Sequence, residues 1–148
     1  MIEITVKTFQ ELSTQELYDI LQLRSEVFVV EQDCVYQDLD GKDQNALHVI
    51  GYKNSKVVAY TRIFKPGDYF ENASIGRVVV DAKERTHKYG YDIMEASINA
   101  VKLKYNTSTI KISAQVYLTR FYNRLEFQEV GEEYLEDGIP HIDMIYKA

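Results

Sequence analysis

Lys83, Arg85, His87 and Lys88 stand within six residues of one another, after a valine-rich run, SIGRVVVDA, and before an amphipathic stretch, YGYDIMEASINAVKLKY. Residues 74–94 therefore read as strand, charged turn and helix with no long loop between them. The first turn of a helix carries backbone N–H groups without intrahelical partners and the positive end of the macrodipole, so basic side chains beside it suit an anion of phosphate type. A phosphate-bearing cofactor is the expectation. Acids crowd two other stretches, residues 31–43 and 132–137. Placed near the basic turn, they would offer an acidic rim for a cationic partner.

Other chemistries fit less well. Residues 38–43, DLDGKD, look like the start of a calcium loop, but an EF-hand needs a glutamate at its twelfth position, where this chain has Val49. Three histidines and one cysteine show no zinc spacing, so no metal is expected. Nothing around Cys34 and His141 supports a thiol-hydrolase pair, and Cys34 is read as structural or incidental.

The chain of 148 residues carries a formal net charge of -6 and is 45% hydrophobic, without a shift in composition along its length. One domain over 1–148 is expected. A pI near 5.1 argues against general nucleic-acid binding, which needs a basic face. No apolar run approaches the roughly 20 residues that span a bilayer, so no membrane partner is expected. The start, MIEITVKTFQE, lacks a secretion signal, and one cysteine forms no internal disulfide. A reducing, cytoplasmic setting is expected; a homodimer is compatible with all of this.

The elements that must position these residues are legible from periodicity. Residues 2–8 alternate as a half-buried strand. Ser13 with Glu16 forms a capping box, and Leu17, Ile20, Leu21, Arg24, Val27 and Phe28 mark one face of a helix running to about residue 30. Residues 31–46 form a long loop with room for one short helical turn. Strands over 48–53 and 57–64 flank a tight Asn54-Ser55 turn. Val78, Val79 and Val80 lack alternation, as in a central strand covered on both faces. The next helix presents Ile93, Ala96, Ala100 and Leu103 to the sheet. A strand over 109–114, a short helix in LTRFYNRL and strands over 127–135 and 141–146 complete a mixed α/β chain of order β-α-β-β-β-α-β-α-β-β.

This order, with three local patterns, resembles the GNAT superfamily of acyl-CoA-dependent N-acetyltransferases, and within it the ElaA-like branch. The family's Arg/Gln-x-x-Gly-x-Gly/Ala signature is matched by Arg85, Thr86, His87, Lys88, Tyr89 and Gly90, with Lys88 at a usual glycine position. The family's Asn-x-x-Ala-x-x-x-Tyr-x-x-x-Gly-Phe is matched by Gln115, Leu118, Tyr122, Glu126 and Phe127, which keeps the tyrosine and phenylalanine. The segments VFVVEQDCVYQDLDGKD and EDGIPHIDM resemble blocks of the ElaA-like branch.

The resemblance implies the GNAT fold, a central mixed, mostly antiparallel sheet flanked by helices, and acetyl-CoA as cofactor. It implies pantetheine along Val78 to Val80, pyrophosphate over Arg85 to Gly90, and Gln115, Leu118 and Phe121 flanking the pantetheine arm. Tyr122 takes the place of the acid that protonates the leaving thiolate. Glu31 and His141 are the candidate bases, and Gln32, Asp40 and Arg77 join them in an acceptor pocket for an amine of a small molecule or peptide. A catalytically weak acyl-CoA-binding module is the alternative to an enzyme.

Overall fold

Ser13 opens the first helix as the capping box requires: its hydroxyl accepts from the Glu16 amide at 3.0 Å, and the Glu16 carboxylate accepts from the Ser13 amide at 2.8 Å. The structure, a computed structural model, describes residues 2–147; Met1 and Ala148, the ends of the expected domain, lie outside the described residues. Helix α1 (Thr14–Arg24) runs on as a π-helical segment, Ser25–Glu31, so the expected helix is present but its last turns are wound more widely. The Gln32 amide donates to the Val27 carbonyl and the Cys34 amide to that of Val29, each at 3.1 Å.

Among the described residues, seven strands form one sheet in the order β1-β2-β3-β4-β5-β7-β6. They are β1 (Glu3–Thr8), β2 (Leu47–Lys53), β3 (Lys56–Phe64), β4 (Ala73–Val80), β5 (Thr109–Gln115), β6 (Phe127–Glu136) and β7 (Ile139–Lys147). Every neighbouring pair is antiparallel except β4 and β5. The Asn54-Ser55 turn has positive φ at both residues, 51° and 65°, the signs of a type I′ hairpin. Helices α2 (Tyr89–Tyr105) and α3 (Thr119–Arg124) supply the rest of the expected order.

Helix α2 buries Ile93, Met94, Ile98 and Val101 against one sheet face, together with Val49, Ile63 and Ile110. The other face carries α1, where Ile20, Leu23 and Val27 meet Ile50, Val57 and Tyr60. Ile93, Ala96 and Ala100 pack toward the core as expected, whereas Leu103 corrects the sequence reading: it is 84% exposed, because the buried stripe of α2 follows 93, 94, 97, 98, 100 and 101.

Strand β4 is central, but it does not run straight. Tyr60 of β3 pairs with Val79 and Arg62 pairs with Gly76, so two β4 residues oppose Thr61 alone. This is a β-bulge. Arg77, at φ 50°, carries the distortion, one residue after Gly76. The extra residue reverses side-chain alternation: Ile75 packs in the α2 layer, Val79 in the α1 layer, and Val78 and Val80 return toward α2.

Over the α1 side of this strand lies the long loop, pinned by buried ions. Arg24 is fully buried; its Nε reaches Asp38 at 3.0 Å and an Nη reaches Asp43 at 2.8 Å. Arg62, also buried, holds Asp43 at 2.9 Å and Asp40 at 2.5 Å. Arg77 pairs with Asp38 at 2.8 Å. Buried His48 donates from Nε2 to the Asp43 carbonyl at 2.9 Å and accepts the Tyr60 hydroxyl at Nδ1, 2.6 Å; burial lowers its pKa and keeps it neutral. The loop half of the expected acidic rim is thereby corrected, since Asp38, Asp40 and Asp43 spend their charge on arginines.

Removing one member of a buried ion pair strands its partners, at a cost of about 3–5 kcal/mol. Arg24→Met, which keeps the volume and deletes the charge, should lower the melting temperature by roughly 6–20 °C in this size range. A loss below about 2 °C in calorimetry would show that the loop is held by other contacts. The aspartates also set the acid response. Burial alone would raise the Asp43 carboxyl, but Arg24 and Arg62 outweigh it and hold the group below the ordinary carboxylate range; Asp40 is held low in the same way by Arg62. A depressed folded pKa contributes stability that is complete above the unfolded value near 4 and fades as pH falls below it. Urea midpoints should drop steadily between about pH 5 and pH 2, and a flat profile would contradict this.

Candidate active site

The one parallel contact in the sheet is short. Strands β4 and β5 pair only at Ala73 with Ile110 and Ser74 with Lys111, then splay apart. From residue 75 onward, β4 faces a wedge instead of a strand. A cavity of about 480 Å³ fills the wedge, with residues 75–80 of β4 along one wall and Ile112, Ser113 and Gln115 of β5 along the other. The wedge exposes main-chain groups of an extended strand to a ligand, which suits an extended polyamide by strand addition. Val78, Val79 and Val80 stand on this wall as expected.

Directly beyond Val80 the chain makes a 3-10 turn, Ala82–His87, started by Asp81, whose carboxylate accepts the Lys83 amide at 3.0 Å. Lys88 then takes a left-handed conformation, φ 61° and ψ 28°, and α2 begins without any side-chain cap. The contrast with the capped N-terminus of α1 is chemical. Uncapped first-turn amides beside basic residues fit the phosphates of CoA. Glu126, the second place where this chain replaces a family glycine, is also left-handed, at φ 72°. Both departures are therefore accommodated in the glycine-type backbone, at a conformational cost of about 1–2 kcal/mol each.

Gly90 is needed for proximity. A Cβ there would stand 3.2 Å from the Phe121 ring, so the absent side chain lets Phe121 close over the helix start. Phe121, Leu118 and Gly90 all border the cavity. Thr86, His87 and Lys88 are exposed on the turn outside its wall, and Tyr89 is buried, its ring 5.2 Å from that of His87. Of the six residues of the signature, Arg85 and Gly90 line the cavity.

Tyr122 borders the same cavity and is only 5% exposed, set edge-on against Phe121 at 5.0 Å and Phe127 at 6.0 Å. Burial pushes its phenol well above the ordinary tyrosine value. The hydroxyl is therefore a proton donor across neutral pH. Gln115, at the end of β5, exchanges amide hydrogen bonds of 3.3 Å with Gln32 across the mouth.

The acceptor end is assembled from three segments. Glu31 closes the π-helical segment and grips Arg85 through both carboxylate oxygens, at 2.5 and 2.8 Å; the Arg85 hydrogen bonds hold its carboxyl below the ordinary range. His141 is 6% exposed, donates its Nδ1–H to the Ile139 carbonyl at 2.7 Å, and places Nε2 3.4 Å from Glu136. Arg77 lines the cavity and stacks its guanidinium 5.7 Å from the Tyr36 ring. Asp40 is not on the wall; it is drawn back onto Arg62. The cavity also takes in Tyr36, Cys34, Ser113 and Tyr117, which the sequence reading missed. Ser113 had a signal, since it shares the outward parity of Gln115 on β5; the loop residues had none. Cys34 reaches the Asp137 carbonyl at 3.4 Å and so ties the loop to the β6–β7 turn. Among the described residues no cluster of His, Cys, Asp and Glu is arranged to hold a metal, and no helix is long and apolar enough to cross a membrane.

Comparison with known proteins agrees with this geometry. The acetyltransferase (GNAT) domain family matches residues 8–148. Protein ElaA of Escherichia coli K12 is 43% identical over 146 residues, covering 97% of this chain and 95% of its own. The crystal structure of Escherichia coli ElaA superposes with a TM-score of 0.92 over 99% of this chain and all (100%) of that one, at 42% identity. An acyl-CoA N-acyltransferase from Pseudomonas aeruginosa gives a TM-score of 0.93 at 38% identity, with 99% of each chain covered. A splayed parallel pair, a bulged central strand and an uncapped helix behind a basic turn, together with these matches, make the chain a member of the GNAT acetyltransferase family, in its ElaA-like branch.

Proposed function

We propose that the protein transfers an acetyl group from acetyl-CoA directly to a primary amine of a small molecule or peptide. The observation that carries this reading is the cavity bordered both by the bulged β4 strand and by the buried Tyr122. When bound, acetyl-CoA supplies an activated thioester. The main chain of residues 78–80 aligns the pantetheine arm, and an N–H near Val79 or Val80 stabilises charge on the thioester oxygen as the amine attacks. The first-turn amides of α2 and the basic turn hold the phosphates.

Tyr122 then donates its proton to the departing thiolate. An alkylamine of pKa near 10 must lose a proton before it attacks. His141 is the better placed base, since it borders the cavity with Nε2 free of any partner closer than the 3.4 Å contact to Glu136. Glu31 is engaged by Arg85 and acts on the acceptor only if released. The acceptor is a cation, favoured by Glu136 and Asp137 at the cavity edge.

Tyr122→Phe keeps the ring and its packing. It should slow amine-dependent CoA-thiol release by about 10²- to 10⁴-fold while acetyl-CoA binding by calorimetry changes less than about threefold. Unchanged turnover would remove Tyr122 from the chemistry. Acetyl-CoA binding without thiol release across a broad panel of amines would replace the enzyme with a binding module.

A further inference from the structure

Arg85 is the basic side chain of the phosphate turn that reaches the cavity, and its charge is already taken. Its Nε donates to the Val80 carbonyl at 3.2 Å, and its two terminal nitrogens donate to the two oxygens of Glu31 at 2.5 and 2.8 Å. A bidentate guanidinium-carboxylate pair presents almost no net charge to an incoming anion. The pair is also exposed, 43% at Arg85 and 40% at Glu31, and such pairs are weak enough to exchange. Phosphate accepts the same two-pronged contact as carboxylate, with more charge.

The partner that would be released matters as much. Glu31 ends the π-helical segment on the cavity wall, next to Gln32 and opposite the β6–β7 turn that brings Glu136 and Asp137 to the same cavity. While Arg85 holds it, this wall is neutral at Glu31. From this geometry we propose that Glu31 is an internal competitor for the cofactor phosphates: CoA takes Arg85 from Glu31, and the freed carboxylate then turns the acceptor end anionic, so that a cationic amine is attracted once the donor is in place.

The inference rests on the acetyl-CoA reading above, and CoA binding to the full-length protein separates the two. Glu31→Gln removes the competing charge and keeps the shape; at low salt it should tighten CoA binding by about twofold to fivefold in titration calorimetry. The gain should require Arg85. In the Arg85→Gln background, itself weaker for CoA than the wild type, adding Glu31→Gln should change affinity by less than about 1.5-fold. Weaker or unchanged CoA binding in Glu31→Gln, or an equal gain in both backgrounds, would overturn the exchange and leave the acetyl-CoA reading standing. Failure of the wild type to bind CoA would remove both. Each variant alters an exposed pair, and melting temperatures within about 3 °C of the wild type would confirm that all four proteins are folded.

Discussion

Strand β4 pairs with β5 for two residues and then leaves it, and the extra residue at the Arg77 bulge governs how the rest of the strand meets its neighbours. A regular strand would put Ile75 and Val79 on the same face; here they fill opposite layers. The inversion lets Val78 and Val80 lean on the α2 core while Val79 seals the α1 side, so the strand is anchored on both faces although one edge has no partner. An open strand edge inside a domain is a hazard unless something covers it. The surrounding elements leave this one as a walled cleft, the cleft in which we propose that acyl transfer takes place.

Holding a positive φ at a non-glycine residue needs support from outside the strand. Arg77 receives it from Asp38, whose carboxylate is shared with Arg24 and the Tyr36 hydroxyl. Arg24 and Arg62 then bind Asp43 together, and the loop that carries these aspartates continues back to Cys34, Gln32 and Glu31 at the cavity. One network thus fixes the bulge and the loop at once. Charges so deeply buried are tolerated because each arginine faces two carboxyl groups or carbonyls, and loss of any one removes part of that compensation from the others. The neutral His48, wedged between Tyr60 and the Asp43 carbonyl, closes the network without adding charge.

Much of the frame was legible in the sequence, and for local reasons. The Ser13 capping box, the Asn54-Ser55 hairpin and the unbroken valines of β4 are signals carried by neighbours in the chain, and each stands where expected. The spacing from Gln115 to Phe127 likewise delivered Tyr122 to the cavity. What stayed hidden depends on partners far apart in sequence. Acids at 38, 40 and 43 read as a rim because nothing local reveals that Arg24, Arg62 and Arg77 converge on them. Arg24 did follow the apolar stripe of α1, which marked a buried side chain but not its partners. Lys88 and Glu126 looked like losses of glycine; the backbone at both is left-handed, the conformation that glycine adopts most easily.

The cleft edge of β4 is the strand along which the donor should bind. Residue-resolved amide hydrogen exchange, with and without CoA, tests this directly. Binding should slow exchange at the β4 amides within 75–80 that face β5 and at the first-turn amides of α2, residues 89 and 90, which no side-chain cap protects in the free protein. Protection confined to other surfaces, with both segments exchanging as fast as before, would contradict it.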